Sequence, residues 1–425
     1  MSSNAELWQR RAAAVARGVS SATQLFAERA VNAEIWDVEG KRYIDFAGGI
    51  GVLNTGHRHP KVLAAIEQQL QRVIHSCFQV MPYEPYIALA EQLNAIAPIE
   101  GAAKTLLLST GAEAVENAVK IARLATGRPG VIAFSGGFHG RTMMAMALTG
   151  KVAPYKIGFG PFPADVYHAR FPHPWHGVSV ADSLADIAHL FKCDIEPSRV
   201  AAFIVEPVQG EGGFTVAPPE FMRALRALCD EHGILLIADE VQSGFARTGR
   251  FFAMEHYDVR ADLITTAKSI GGGLPLSGVV GRAGVMDAPP PGGLGGTYGG
   301  NPVAVAAALE SIKFMEDQDL PGRAREIEEQ FFARFTALQK DVPALGEVRG
   351  RGAMIALEFV KAGGKQPDAA LTKAIADECL AQGVLILTCG TYGNVVRLLP
   401  PLVIGDELLT DAFDVLEAAI RKHAA

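Results

Sequence analysis

Five segments in the middle of the chain, 105–109, 131–135, 201–205, 234–238 and 263–266, are short runs dominated by apolar and β-branched residues. A strand with one wet face alternates apolar and polar positions. Runs without that alternation predict strands covered on both faces, as in a parallel sheet. Between them the hydrophobic period lengthens. Over 112–125, Val115, Val119 and Ala122 fall on one helical face. Over 220–232 the stripe is Phe221, Leu225 and Leu228, and Gly233 is placed to stop the helix. This alternation predicts an α/β domain around a mostly parallel sheet.

The pattern changes near residue 318. A charged helix over 323–340 leads to a strand over 352–360, then a loop of glycine, lysine and proline over 361–367. Another helix and an apolar strand over 384–387 follow. Together they predict a smaller α+β domain, joined from the N-terminal side by strands in the alternating stretch 34–46. The expected division is a large domain, 55–317, and a small domain assembled from 1–54 and 318–425.

Composition narrows the class. A chain of 425 residues that is 49% hydrophobic and 20% charged is an ordinary packed protein of more than one domain. Its net charge of −7 argues against general nucleic-acid binding, which needs a basic face to release counterions. Five scattered cysteines with no CxxC pair predict neither a disulfide framework nor a zinc site, and fit a reducing compartment. Residues 1–17 hold no apolar core of signal-peptide length and no apolar run reaches the length of a membrane span, so the expected location is the cytoplasm.

Ligands of parallel sheets collect at the carboxyl ends of the strands, and the residues there are informative. Thr110-Gly111-Ala112-Glu113 follows the first run and opens a helix, offering free backbone N–H groups to a phosphate or making an ordinary turn. Gly136-Gly137-Phe138-His139-Gly140-Arg141 follows the second, with an aromatic ring and a cation that suit a flat, anionic ligand or a surface turn. After the third, Glu206 and Glu211 sit where a carboxylate needs a partner. Asp239 ends the fourth run, placed either to balance a protonated heteroaromatic nitrogen or to cap a helix; Val241 follows where it can lie against a ring. Lys268 lies between an apolar run and Gly271-Gly272-Gly273, where burial would lower its pKa and free its amine to attack a carbonyl. Taken together these residues outweigh the bland reading that each has alone. The histidines His168, His173 and His176 lie in a segment of prolines and aromatics with no acidic or cysteine neighbour in sequence, and read as a loop with no metal.

Two stretches, Leu236-Ile237-Ala238-Asp239-Glu240-Val241-Gln242-Ser243-Gly244 and Thr265-Thr266-Ala267-Lys268-Ser269-Ile270-Gly271-Gly272-Gly273, resemble the class III aminotransferases of fold type I. That resemblance covers nearly the whole chain. Asp45-Phe46-Ala47-Gly48-Gly49-Ile50, Asn54-Thr55-Gly56-His57, Cys77-Phe78-Gln79-Val80 and Gly293-Leu294-Gly295-Gly296-Thr297-Tyr298 are similar to the bacterial 4-aminobutyrate branch of that family. The resemblance implies pyridoxal 5'-phosphate, carried covalently on Lys268, whose amine later moves the proton at the substrate carbon. It implies that Asp239 pairs with the ring nitrogen, Phe138 and Val241 flank the ring, Gln242 reaches its phenolic oxygen, and Gly111 and Ala112 hold the phosphate. Thr297 would reach the cofactor of a neighbouring subunit, so the chain would be at least a dimer.

For substrates, the resemblance implies an ω-amino acid, 4-aminobutyrate first and 5-aminovalerate or ornithine-like compounds after it, with 2-oxoglutarate and glutamate as the other pair. Arg141 would hold the distal carboxylate and Arg397 the α-carboxylate of glutamate, with Glu211 pairing Arg397 when that carboxylate is missing. Ile50, Gln79 and Glu206 would complete the substrate side. Two positions depart from the family pattern: Ala112 stands where a serine is expected and Phe138 where a tyrosine is. Each departure removes a hydroxyl, a loss of about 1 kcal/mol in cofactor affinity if it bonds. A decarboxylase or epimerase of the same fold, and a binding protein without catalysis, are the competing readings.

Overall fold

The computed structural model describes residues 2–424. Three N-terminal strands, β1 (Ala27–Val31), β2 (Glu34–Asp37) and β3 (Arg42–Asp45), form an antiparallel meander; β2 and β3 fall in the stretch 34–46 whose alternation predicts strands, and β1 precedes it. The central sheet holds seven strands: β4 (Ala103–Leu108), β5 (Gly130–Phe134), β6 (Val166–Ala169), β7 (Val200–Val205), β8 (Leu235–Asp239), β9 (Leu263–Thr266) and β10 (Ser277–Arg282). Their order is β4-β10-β9-β8-β7-β5-β6, and only β10 runs against its neighbours. Every residue of β5, β7 and β9 is buried, as unbroken apolar runs require.

The sequence pattern did not disclose β6 or β10. β6 is a four-residue edge strand containing Tyr167 and His168. β10 reads Ser-Gly-Val-Val-Gly-Arg, and glycine normally weakens a strand. Here it is needed, because a Cβ on Gly281 would lie 2.3 Å from the Leu263 side chain of the adjacent strand.

The C-terminal region supplies β11 (Leu345–Arg351), β12 (Met354–Phe359), β13 (Val384–Leu385), β14 (Leu387–Cys389) and β15 (Val395–Leu398). β11, β12, β15 and β14 form an antiparallel sheet in that order. The single strand expected over 384–387 is in fact divided at Ile386. β13 pairs in parallel with β3, Val384 opposite Ile44 and Leu385 opposite Asp45, while β14 pairs with β15. One apolar run therefore crosses between two sheets. Helices cover the sheets, among them Gly111–Thr126, Pro219–His232, Leu320–Asp341 and Asp406–His423. Val115, Val119 and Ala122 are buried, and Gly233 closes its helix in the left-handed conformation with φ 62°.

Arg247 links these layers. Its side chain is fully buried and donates to the carbonyls of Ala353 (3.1 Å) and Pro400 (2.7 Å) and to the Asn54 side-chain oxygen. Three distant stretches thus meet on one guanidinium.

Candidate active site

The loops that follow β4, β5, β7, β8 and β9 enclose a cavity of about 380 Å³ at the carboxyl edge of the central sheet. Gly111, Ala112, Phe138, Glu206, Asp239, Val241, Gln242 and Lys268 all line it. The turn after β4 is fixed by a capping box. Thr110 accepts the Glu113 amide, and the Glu113 carboxylate takes the amides of Ser109 and Thr110 at 2.9 Å each. This leaves the helix start at Gly111 on the cavity wall, the arrangement that favours an anion.

Asp239, at the end of β8, is buried and firmly held. Its Oδ1 accepts the Thr265 hydroxyl at 3.0 Å and the Val241 amide at 3.2 Å, and its Oδ2 lies 2.7 Å from His139 Nδ1. Burial opposes charge on His139, but the hydrogen bond and charge of Asp239 outweigh it and raise the imidazole pKa. Glu206 accepts the amides of Phe138 (2.9 Å) and Gly210 (3.0 Å), which fixes the aromatic loop after β5. Burial pushes its carboxyl up to about 7 all the same.

Lys268 begins a 3₁₀ turn directly after β9, with φ 51°, a left-handed backbone that residues other than glycine adopt at a strain. Burial pulls its ammonium down to about 8, against the opposing pull of Glu211, Glu206 and Asp239. The free, nucleophilic amine is therefore reached at a lower pH than in an ordinary lysine.

Beside the cavity, Glu211 forms an ion pair with the buried Arg397. Burial would raise the Glu211 pKa, but the charge and hydrogen bond of Arg397 bring it below the ordinary value. Tyr155 also donates its hydroxyl to Glu211 at 3.2 Å. Its ring lies 4.8 Å from that of Phe138, and the Arg141 guanidinium sits 5.0 Å from the same ring. Ile50, Gln79, Arg141 and Thr297 are exposed and are not on the cavity wall.

Sequence reading missed His139 and Tyr155. His139 stands inside the glycine segment quoted above, yet its partner Asp239 is far along the chain, so no spacing rule links them. Tyr155 lies in a segment with no motif.

The cavity's residues fit pyridoxal phosphate. The side-chain oxygen of Gln242 is buried without a hydrogen-bond partner, as expected of a group that meets a polar ligand. A Cβ on Gly111 would come within 3.0 Å of the Val241 side chain, so glycine there leaves the cavity wall at the helix start uncrowded.

Comparison with known proteins agrees. The model of the family described as aminotransferase class-III matches residues 14–420. The chain is 54% identical over 421 residues to a 5-aminovalerate aminotransferase of Pseudomonas putida, covering 99% of both chains. It is also 54% identical over 417 residues to a 4-aminobutyrate aminotransferase of Escherichia coli, covering 98% of both. Among solved structures, a Bacillus anthracis aminotransferase superposes with a TM-score of 0.91 at 29% identity, covering 99% of this chain and 100% of that one. Ornithine aminotransferase from Toxoplasma gondii superposes with a TM-score of 0.87 at 31% identity, covering 99% and 95%. A lysine with a weakened proton, set in a cavity of this shape within a fold shared along its whole length, leaves one assignment: the chain belongs to the class III aminotransferases, enzymes that work with pyridoxal 5'-phosphate.

Proposed function

We propose that the enzyme moves the amino group of a short ω-amino acid, 4-aminobutyrate first, to 2-oxoglutarate, giving succinate semialdehyde and glutamate. The observation that supports this reading is the Glu211–Arg397 pair. A buried arginine without a counter-charge is strongly destabilising, about 3–5 kcal/mol for a broken buried pair. Glutamate brings an α-carboxylate that can take the arginine for itself; 4-aminobutyrate brings none. A carboxylate that swings on and off Arg397 keeps it paired with either substrate, and Tyr155 steadies Glu211 in the paired position. Arg141, whose guanidinium lies 5.0 Å from the Tyr155 ring, suits the carboxylate that both substrates share, since its planar fork binds one bidentately. Ile50, apolar where a polar aromatic would suit an ornithine-like substrate, favours a short ω-amino acid.

The protein's own groups have distinct tasks. Bound pyridoxal phosphate supplies a sink for the negative charge left on the substrate carbon. The Lys268 amine provides its attachment and, once released, carries the proton at that carbon. The Asp239 carboxylate, braced by His139 and Thr265, holds the proton on the ring nitrogen. Phe138 and Val241 flank the ring, Gln242 meets its phenolic oxygen, and the amides of Gly111 and Ala112 take the phosphate. Thr297 of the partner subunit completes the phosphate site in at least a dimer. Exposed Tyr298 (67%) adjoins Thr297, and exposed Val80 (79%) and Met81 (69%) follow Gln79, whose side-chain amide donates to the Leu294 carbonyl at 3.0 Å; these apolar side chains support burial of that face against a second copy. The small domain is 1–54 with 318–425, the large one 55–317, a division supported by the β3–β13 pairing. We place the enzyme in the cytoplasm, in keeping with its five free cysteines. Among the described residues no helix is long and apolar enough to cross a membrane.

A second substrate, 5-aminovalerate, is favoured by the equally similar Pseudomonas putida relative. One experiment separates them. The visible spectrum of the purified, cofactor-loaded protein is followed after adding either amine without a keto acid. Loss of the long-wavelength band with 4-aminobutyrate, restored by 2-oxoglutarate, is the expected result. A response to 5-aminovalerate alone moves the assignment to the longer substrate, and a response to neither overturns the reading. In addition, Glu211→Ser slows the 4-aminobutyrate half-reaction about tenfold more than the glutamate half-reaction, the worth of one charged hydrogen bond. Equal losses in both would remove the switch.

A further inference from the structure

The carboxyl edge of the central sheet carries a second constellation next to the cofactor cavity. After β6 the chain runs through Arg170-Phe171-Pro172 to His173, makes a 3₁₀ turn over Pro174–His176, and returns through Gly177, so that Val178 pairs with His173. A 3₁₀ turn has about three residues per turn, which sets positions i and i+3 on the same side. The rings of His173 and His176 accordingly lie 4.2 Å apart between centroids. From the opposite side β12 brings in Glu358, whose side chain is 1% exposed and whose Oε1 is 2.9 Å from His176 Nε2. One ligand atom from each of the three residues lies within 4.8 Å of the others.

We propose that His173, His176 and Glu358 form a binding site for a divalent transition-metal ion of the zinc class. Two imidazoles and one carboxylate are a donor set that such ions accept, with metal–ligand distances of about 2.0–2.2 Å and a fourth position left to water. The ligands open onto a cavity of about 270 Å³, which leaves room for that water. The carboxylate is also oriented from behind, as ligating carboxylates commonly are. Asn394 donates to Glu358 Oε1 at 3.2 Å, and Arg349 donates to Oε2 at 2.5 Å. Arg349 does not oppose the ion on balance, since it is also paired with Glu347, leaving the group of two carboxylates and one guanidinium with a net negative charge. The ion would pin the turn after β6 to the C-terminal sheet. It would do so behind the switch glutamate, because Gly212 lines the same cavity and the Gly390 amide donates to the Glu211 carbonyl at 3.0 Å.

Zinc uptake by the cofactor-loaded enzyme tests this. Protein stripped with a chelator is dialysed against micromolar zinc, and bound metal is counted by plasma emission spectroscopy. The wild type is expected to take up one equivalent per chain and to gain thermal stability. His173→Ala and His176→Ala lose that equivalent and the gain, while keeping the absorption of the bound cofactor as the mark of a folded site. Replacing His176 also removes a donor to the buried Glu358, so the retained cofactor absorption is what separates loss of the metal from loss of the fold. The exposed Cys193, 3.7 Å from His189 on the helix Val180–Cys193, is a competing zinc-attracting pair, and Cys193→Ser controls for it. Zinc uptake that survives both histidine replacements, or disappears only with Cys193→Ser, overturns the proposal. So does a wild type that takes up none.

Discussion

Lys268 carries two unfavourable features at once, a left-handed backbone and an ammonium drawn out of water. The second has a pH signature in the cofactor-free protein. Its pKa falls from the ordinary 10.5 to about 8 in the fold. Below pH 8 both folded and unfolded chains are charged here, and the fold bears the whole desolvation penalty. Between pH 8 and 10.5 the folded chain has lost the proton while the unfolded one keeps it, so stability from this group rises with pH. Cofactor-free Lys268→Met is therefore more stable than cofactor-free wild type at pH 7, by on the order of 2–3 kcal/mol, and the gap narrows toward pH 10. Denaturant titrations at the two pH values check it; a gap that is constant with pH would place its origin in side-chain packing and not in the buried charge, since methionine bears the same backbone strain. The same variant has no measurable transamination. Lys268 and Asp239 were legible in sequence because each ends an apolar run, where a charged group has few reasons to be. His139 was not, because its meaning lies wholly in Asp239, and nothing local records that contact.

At the level of elements, legibility followed burial. β5, β7, β8 and β9 were visible as unbroken apolar runs because both faces are covered. β10 was hidden because the tight approach of β9 demands glycines there. The split of 384–387 was hidden because hydrophobicity does not say which partner a strand will take. Helix starts follow local capping rules, and two of them make a matched test. Thr110 and Ser179 each form a capping box, with Glu113 and Asp182. Alanine at either position destabilises the protein by about 1 kcal/mol. Only Thr110→Ala also weakens cofactor retention, because Thr110 orders the turn that presents Gly111 to the cavity, whereas Ser179 caps a helix elsewhere. Unfolding midpoints and cofactor titrations of both variants check this. Equal retention would show that the phosphate turn is held without its cap.

For the molecule as a whole, Arg247 is the most consequential single side chain outside the cavity. Burial brings its pKa down to about 9, and its neighbours are carbonyl and amide oxygens from three stretches of chain. Arg247→Met keeps most of the volume but leaves buried acceptors without donors, at about 1–3 kcal/mol each. The expected loss is about 3 kcal/mol or more in denaturant unfolding. A loss under about 1 kcal/mol would mean that water replaces the guanidinium. The pairing of β3 with β13 has a different kind of consequence, one of timing. Ile44 and Asp45 leave the ribosome roughly 340 residues before Val384 and Leu385. At about 5–20 residues per second that is a wait of roughly 20–70 s. Through that interval β3 presents an open edge to every other nascent chain nearby. The sheet begun first is closed almost last, so a message cut short of residue 384 yields an adhesive fragment instead of a smaller working enzyme.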